Sequence, residues 1–290
     1  MEYKKLDQRN HILHRPDTYV GSVKHKSESV FISDFNDNFK IIKKKISNNT
    51  ALCRIFIEIL SNAIDNVSRS KKTSTPCRNI KVNIDKNTGE TTIYNDGLSI
   101  PIELHQTEHV YIHTMLFGQL LTSSNYDDSK DRIDISGRNG YGATLTNIFS
   151  NKFQVEGADP NNKLYLKQIW NDNMKIENRV NIKKSNLKKG YTKISYIPDF
   201  KLFGINNYSD DLIKLFCRYT VEASMLTGIK VYFNDILIPV KNLLHYSKLY
   251  IKDNDKPISY IKDENYQLVI TPTENINDNL TISFVNGIYT

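Results

Sequence analysis

Glu58, Asn62, Asp65 and Asn66 are spaced i, i+4 and i+7/i+8. On a helix those positions share one side. A carboxylate within hydrogen-bond reach of water can take its proton. An amide carbonyl oxygen suits a hard cation such as Mg²⁺. As the wall of a site, the face offers Glu58 as a general base and Asn62 as a metal ligand. A solvated helix face accounts for the same spacing equally well.

Three further segments carry chemistry-bearing residues. Ser136-Gly137-Arg138-Asn139-Gly140-Tyr141-Gly142-Ala143 places three glycines just before a helix-like run. Such glycines let backbone N–H groups approach phosphate oxygens, and the helix start adds a positive dipole end. The alternative is an ordinary flexible loop. The spacing fits neither a P-loop nor a Rossmann fingerprint. Asn95-Asp96-Gly97 closes a strand-like run. Its short amide or acid could read the exocyclic amine of adenine, and its glycine could let the base lie against backbone. A plain turn is the competing reading. Thr122-Ser123-Ser124-Asn125-Tyr126-Asp127-Asp128 offers hydroxyls and an amide for ribose or phosphate oxygens, or is an exposed polar loop.

The elements that must position these residues follow from periodicity. Apolar residues at 52, 55, 56, 59, 60, 63, 64 and 67 predict a helix over 51–67, its stripe largely distinct from the polar line. Residues 80–84 and 91–94 alternate around Asn87-Thr88-Gly89 and predict a β-hairpin running into Asn95. Helices are expected over 109–121, 143–149 and 209–226, and strands over 152–156, 164–169, 192–197 and 229–233. The first fifty residues offer turn chemistry at Arg15-Pro16-Asp17 and Gly21-Ser22, then a short apolar segment. Residues 281–288 read as a buried strand. Helices alternating with hairpin-connected strands predict an α+β sandwich rather than a parallel Rossmann sheet.

Composition bounds the function. With 290 residues, 39% hydrophobic and 24% charged, the chain can bury a core and is not globally disordered. No run approaches the ~18–20 apolar residues of a membrane span, so no membrane partner is expected. Cys53, Cys77 and Cys217 lie far apart without CxxC spacing. That disfavours a disulfide scaffold and a cysteine zinc site and fits a reducing, intracellular compartment. Thirty-nine basic against thirty-two acidic residues leave +7, a balance that suits a polyanionic partner. Lys43-Lys44-Lys45 and Lys188-Lys189 read as solvated charge.

Taken together and in order, these segments resemble the ATPase domain of eukaryotic-type type IIA DNA topoisomerases, a branch of the GHKL ATPase group. HILHRPDTYVGS at 11–22, EILSNAIDN at 58–66, LFGQLLTSSNYDD at 116–128, GRNGYGA at 137–143, QIWNDNM at 168–174 and SFVNGI at 283–288 carry the likeness. The serine-rich loop followed by GRNGYG separates it from the chaperone, mismatch-repair and histidine-kinase branches.

The resemblance implies a GHKL (Bergerat) α/β sandwich with a mixed, mostly antiparallel sheet. It implies an ATPase domain over 1–245, with an arm over 1–20, and the beginning of a transducer domain over 246–290. It implies ATP and Mg²⁺ as ligands, a homodimer, and double-stranded DNA as the partner of the full-length isomerase. The DNA-cleavage core is expected to lie elsewhere in a larger protein, in the nucleus or the cytoplasm. By position, Glu58 matches the general base and Asn62 the Mg²⁺ ligand, with Asp65 and Asn66 completing that motif. Asn95 matches the adenine-side residue, followed by Gly97. Ser123, Ser124 and Asn125 match ribose and phosphate contacts. Arg138, Asn139, Gly140, Tyr141, Gly142, Ala143 and Thr144 fall on the phosphate-binding loop and its helix. Tyr3 matches the arm tyrosine that reaches the partner subunit's nucleotide. Two departures stand out: Ser99 replaces a glycine, and Thr144 replaces a lysine whose loss is expected to weaken nucleotide binding. They motivate a rival, a nucleotide-binding or dimerisation module without turnover. A second rival is another GHKL protein, such as a repair ATPase.

Overall fold

The computed structural model describes residues 6–120, 141–251, 257–272, 280–285 and 288–289. The chain opens with two short helices, α1 (Gln8–His14) and α2 (Pro16–Tyr19), and a hairpin of β1 (Lys26–Asp34) and β2 (Lys40–Asn48). Next come α3 (Thr50–Ser70), the hairpin β3 (Asn79–Asp85) and β4 (Glu90–Asp96), α4 (Ile112–Gly118) and α5 (Gly142–Ile148). The strands β5 (Ser150–Asp159), β6 (Leu164–Asn171), β7 (Ile176–Glu177), β8 (Asn181–Lys184) and β9 (Tyr191–Pro198) lead to α6 (Asp210–Thr227). The chain continues through β10 (Lys230–Phe233), β11 (Ile236–Leu237), α7 (Leu243–Lys248) and two small hairpins, β12 (Ser259–Lys262) with β13 (Gln267–Ile270) and β14 (Phe284–Val285) with β15 (Ile288–Tyr289).

Nine strands form the main sheet in the order β11-β10-β3-β4-β9-β5-β6-β7, with β8 also pairing β6. Of these pairs β10–β3 is parallel and the rest are antiparallel, as in the expected mixed sheet. Alternation sends Ile80, Val82, Ile93, Phe153, Val155, Leu166, Trp170 and Ile194 into the core. The helices α3, α5 and α6 cover that face.

Local chemistry sets the two long helices. The Asn49 side chain caps α3 by accepting the Leu52 N–H at 2.9 Å. The apolar stripe from Leu52 through Ala63 is buried. Ser209 caps α6, Asp210 and Asp211 sit in its first turn, and Gly228 ends it in the left-handed region at φ 67. The two helices meet where the Phe56 and Phe216 rings stack at 4.4 Å.

Several expectations are corrected. The turn chemistry at Arg15-Pro16-Asp17 forms the start of the single-turn helix α2, where the missing N–H of Pro16 costs nothing. The β1–β2 hairpin occupies a region read only as a short apolar segment. α4 begins at Ile112 rather than 109, because His109 takes φ 54. Residues 281–288 are not one buried strand. Phe284 pairs Tyr289 and Val285 pairs Ile288, and Val285 is exposed. The Asn-Gly dipeptide between the paired residues is a strong hairpin signal. Apart from these corrections, Tyr246 of α7 is buried against α6, its hydroxyl donating to Glu222 Oε1 at 3.0 Å. The arm is partly anchored on its own chain: Ile12 is fully buried, and Arg9 Nε donates to Asn173 O at 2.5 Å.

Candidate active site

The polar line of α3 does not lie evenly in solvent. Asn62 is exposed, Glu58 is half-buried, and Asp65 and Asn66 are buried. Glu58 Oε1 pairs with Arg54 Nε at 2.5 Å, with the glutamate side chain 19% exposed and the arginine 53%. Burial pushes the Glu58 carboxyl above its ordinary value. The Arg54 charge and hydrogen bond oppose that shift, and the charge of Asp65 adds to it.

α5 brings the end of the glycine segment onto this glutamate. Thr146 Oγ1 donates to Ile55 O of α3 at 2.9 Å, and Asn147 Nδ2 donates to Phe117 O of α4 at 2.9 Å. So anchored, α5 places Gly142 directly over Glu58. A Cβ at Gly142 would overlap the carboxylate, with Glu58 Cδ only 2.7 Å away. Leu145 is the first residue of α5 to make an i→i−4 bond, to Tyr141 O. The N–H groups of Gly142, Ala143 and Thr144 therefore have no acceptor within the helix. A carboxylate and a set of backbone donors thus meet without a side chain between them.

Thr144 is fully buried, and its hydroxyl donates to Gln119 O at 3.0 Å.

The strand-end motif is held at the other end of α3. Asp96 Oδ1 accepts the N–H groups of Arg78 (2.7 Å) and Asn79 (2.8 Å), and Oδ2 accepts Asn79 Nδ2 at 2.7 Å. Asn66 Nδ2 donates to Asp96 O (3.3 Å) and Leu98 O (3.2 Å), tying the helix to the loop. Asn95 is buried on the face that meets α3, opposite Ile80 in the ladder. Gly97 takes φ +102, and a Cβ there would fall 2.5 Å from Cys77 N. The backbone of Cys77 occupies the space where that Cβ would stand. Ser99 is accommodated by Gly190, whose Cβ, if present, would stand 2.7 Å from Ser99 Cβ.

Glu58, Asn62, Asp65, Asn66, Asn95, Gly97, Tyr141, Gly142, Ala143 and Thr144 are therefore gathered around α3, its strand-end loop and α5. Tyr3, Ser123, Ser124, Asn125, Arg138, Asn139 and Gly140 lie outside the described residues. The sequence reading missed Arg54, Cys77 and Gly190. Arg54 alone had a signal, its i,i+4 spacing to Glu58. Among the described residues no helix is long and apolar enough to cross a membrane.

Comparison with known proteins bears on the family. Residues 47–193 match the family described as histidine kinase-, DNA gyrase B-, and HSP90-like ATPase. The whole chain is 38% identical to DNA topoisomerase 2 of Invertebrate iridescent virus 6, spanning 26% of that protein. It is 38% identical to DNA topoisomerase 2 of Drosophila melanogaster over 99% of this chain and 20% of that one. The chain thus spans about a quarter or less of these curated relatives. The crystal structure of the ATPase region of Saccharomyces cerevisiae topoisomerase II matches with a TM-score of 0.92 and 36% identity, covering 99% of this chain and 75% of that one. The ATPase and transducer domains of Balamuthia mandrillaris DNA topoisomerase II match with a TM-score of 0.90 and 35% identity, covering 99% and 72%. With that agreement in fold and sequence, the chain belongs to the histidine kinase-, DNA gyrase B- and HSP90-like ATPase family, and within it to the ATPase regions of type II DNA topoisomerases.

Proposed function

We propose that this chain binds ATP between α3 and α5 and hydrolyses it, with Glu58 as the general base. The observation that carries the reading is the meeting of Glu58 with Gly142. A carboxylate stands directly against the backbone that would receive the phosphates. Glu58 takes a proton from the attacking water, and burial raises its basicity for that task. The N–H groups of Gly142, Ala143 and Thr144 receive phosphate oxygens. Asn62, exposed one turn along the same face, offers the hard oxygen that would hold Mg²⁺. When bound, Mg²⁺ neutralises phosphate charge. Asn95 faces adenine. Ser123, Ser124 and Asn125 serve ribose and phosphate, Arg138, Asn139, Gly140 and Tyr141 complete the phosphate loop, and Tyr3 reaches the partner subunit's nucleotide.

In this reading ATP closes a homodimeric gate around one DNA duplex, and hydrolysis resets it as that duplex passes through another. The ATPase domain covers 1–245, a transducer begins at 246, and the protein acts inside the cell. The rival without turnover is motivated by Thr144 and Ser99. The Thr144 hydroxyl is bound to Gln119 O and Ser99 packs on Gly190, so neither departure touches Glu58.

Glu58→Gln in the full-length protein tests the reading. Turnover is expected to fall roughly 10²–10⁴-fold with affinity for a non-hydrolysable ATP analogue retained. Thermal stability is not expected to fall. A carboxyl whose folded pKa is raised loses its stabilising contribution as pH rises through that pKa, so neutral pH already carries the cost. Wild-type turnover would remove Glu58 from the mechanism.

A further inference from the structure

We infer that one face of the β1–β2 ribbon is a docking surface for the phosphate backbone of duplex DNA, with Lys43 and Lys45 as its cations. DNA as the partner rests on the function proposed above, while the surface itself lies outside the nucleotide site. In sequence Lys43-Lys44-Lys45 reads as solvated charge. The register divides that run between two faces, because residues directly opposite each other in an antiparallel pair point to the same side. Both acids of the two strands, Glu28 and Asp34, lie on the side that meets α6. There Lys40 stands opposite Asp34, Lys44 Nζ pairs with Asp211 at 2.6 Å, and Lys214 of α6 pairs with Asp34. The charges of that face are matched.

The other face is built differently. Ser27, Ser29 and Phe31 stand opposite Ser47, Lys45 and Lys43. Towards the turn this face is covered, with Ser33 and Ile41 buried and Phe31 meeting Tyr250 edge-on at 5.2 Å. Beyond that contact the three serines and both lysines are exposed. The face carries no Asp or Glu, and among the described residues neither lysine has an ion-pair partner. Lys43 Nζ lies over the Phe31 ring, 6.0 Å from its centroid, so the aromatic ring seats the cation instead of an acid. Ammonium and hydroxyl groups are the side chains that contact DNA phosphates, fixing position without reading sequence. Lys43 and Lys45 are two residues apart, about 6.7 Å along the strand. Each DNA strand carries a phosphate about every 3.4 Å of helix axis, so one strand can meet both lysines. The net charge of +7 adds a general preference for such a polyanion.

Lysine footprinting on the full-length protein tests the surface. An amine-reactive reagent is applied with and without a random-sequence duplex, and modification is read residue by residue. The duplex is expected to protect Lys43 and Lys45, while Lys40 and Lys44 on the ion-paired face keep their reactivity. A second duplex of unrelated sequence should protect equally. The double variant Lys43→Gln, Lys45→Gln removes both charges at exposed positions, so thermal melting should stay near wild type. Each phosphate contact contributes about 0.9 to the salt slope of affinity, so the double variant's deficit in duplex binding should be about tenfold larger at 50 mM than at 200 mM salt. Lys43→Arg with Lys45→Arg keeps the charges and should keep the slope. Equal reactivity of Lys43 and Lys45 with and without duplex, or an unchanged salt slope in the glutamine variant, would overturn the inference. So would equal protection by poly-glutamate at the same charge concentration, which would make the face one for an acidic protein segment. In each of these cases duplex binding by the wild type leaves the proposed function standing. A wild-type protein that binds no duplex at low salt would instead sink DNA as the partner, and this surface with it.

Discussion

The two ends of the proposed nucleotide site are built on different principles. At the strand end, each Asp96 carboxylate oxygen has a donor from residues 78–79, and Asn66 stitches helix to loop. That end is finished before any ligand arrives. At the other end Glu58 has one half-exposed ionic partner, little water and a glycine pressed against it. Hydrogen bonds define the first end, and enclosure and charge define the second. Recognition calls for a surface that does not change, whereas a base must stay desolvated and reactive. The contrast implies that damage at the strand end appears as lost stability and damage at Glu58 as lost rate.

The largest expected effect tests the strand end. Asp96→Ala strands the Arg78 and Asn79 N–H groups, each costing about 1–3 kcal/mol when buried without an acceptor. Denaturant unfolding should show a loss of about 2–5 kcal/mol. A loss below about 0.5 kcal/mol would mean that solvent replaces the carboxylate and that this end is not preformed. Next is Gly142→Ala, whose methyl group must displace the Glu58 carboxylate. Hydrolysis should slow on the order of 10²-fold with the unfolding midpoint nearly unchanged. If stability falls in proportion, packing defines both ends and the contrast collapses.

Thr144→Lys comes third. An ammonium at a fully buried position that now donates to Gln119 O should destabilise the fold by about 1–3 kcal/mol. It should not tighten nucleotide binding, and calorimetry showing tighter binding would mean that a side chain at 144 reaches the phosphates. The smallest effect is on pH dependence. The proposed base must be ionised to act, and the Glu58 carboxyl lies above the ordinary glutamate value, chiefly through burial. The acid limb of the hydrolysis rate should therefore have its midpoint above 4.5, with activity lost as pH falls through it. A midpoint below 4.5 would mean that Arg54 outweighs burial.

How far the sequence could be read depended on whether short-range or long-range contacts decide each position. α3 was visible because its apolar stripe and its polar line are both set within a few residues of one another. The β3–β4 hairpin was visible for the same reason, with Gly89 at φ +73 in its turn. The ribbon β1–β2 was obscured because β2 carries Lys40, Lys43, Lys44 and Lys45 on a two-stranded hairpin outside the main sheet. Such a strand shows only weak alternation of burial. The direction of Thr144 could not be read locally. Its partner Gln119 is separated by 25 residues and belongs to the end of α4. Cys77 above Gly97 was hidden in the same way, since a long-range approach of backbone to backbone leaves no periodic trace. The site was thus readable as a set of residue types, and its internal mechanics were not.

The contact between Ser99 and Gly190 also bears on how this chain can evolve. Only one of the two positions has room for a Cβ: at 190 it would lie 2.7 Å from Ser99 Cβ and 2.8 Å from Gly97 O. A serine at 99 is thus compatible with a bare backbone at 190, and any side chain at 190 must displace it. The same mutation at 190 has a different cost depending on what stands at 99, which is epistasis of purely steric origin. Gly190 O also accepts the Gly97 N–H at 3.1 Å, so the conflict would be transmitted to the strand-end loop. Position 190 is thus hemmed in from two sides, by a side chain more than ninety positions away and by the Gly97 carbonyl, on a strand boundary that by itself carries no chemistry.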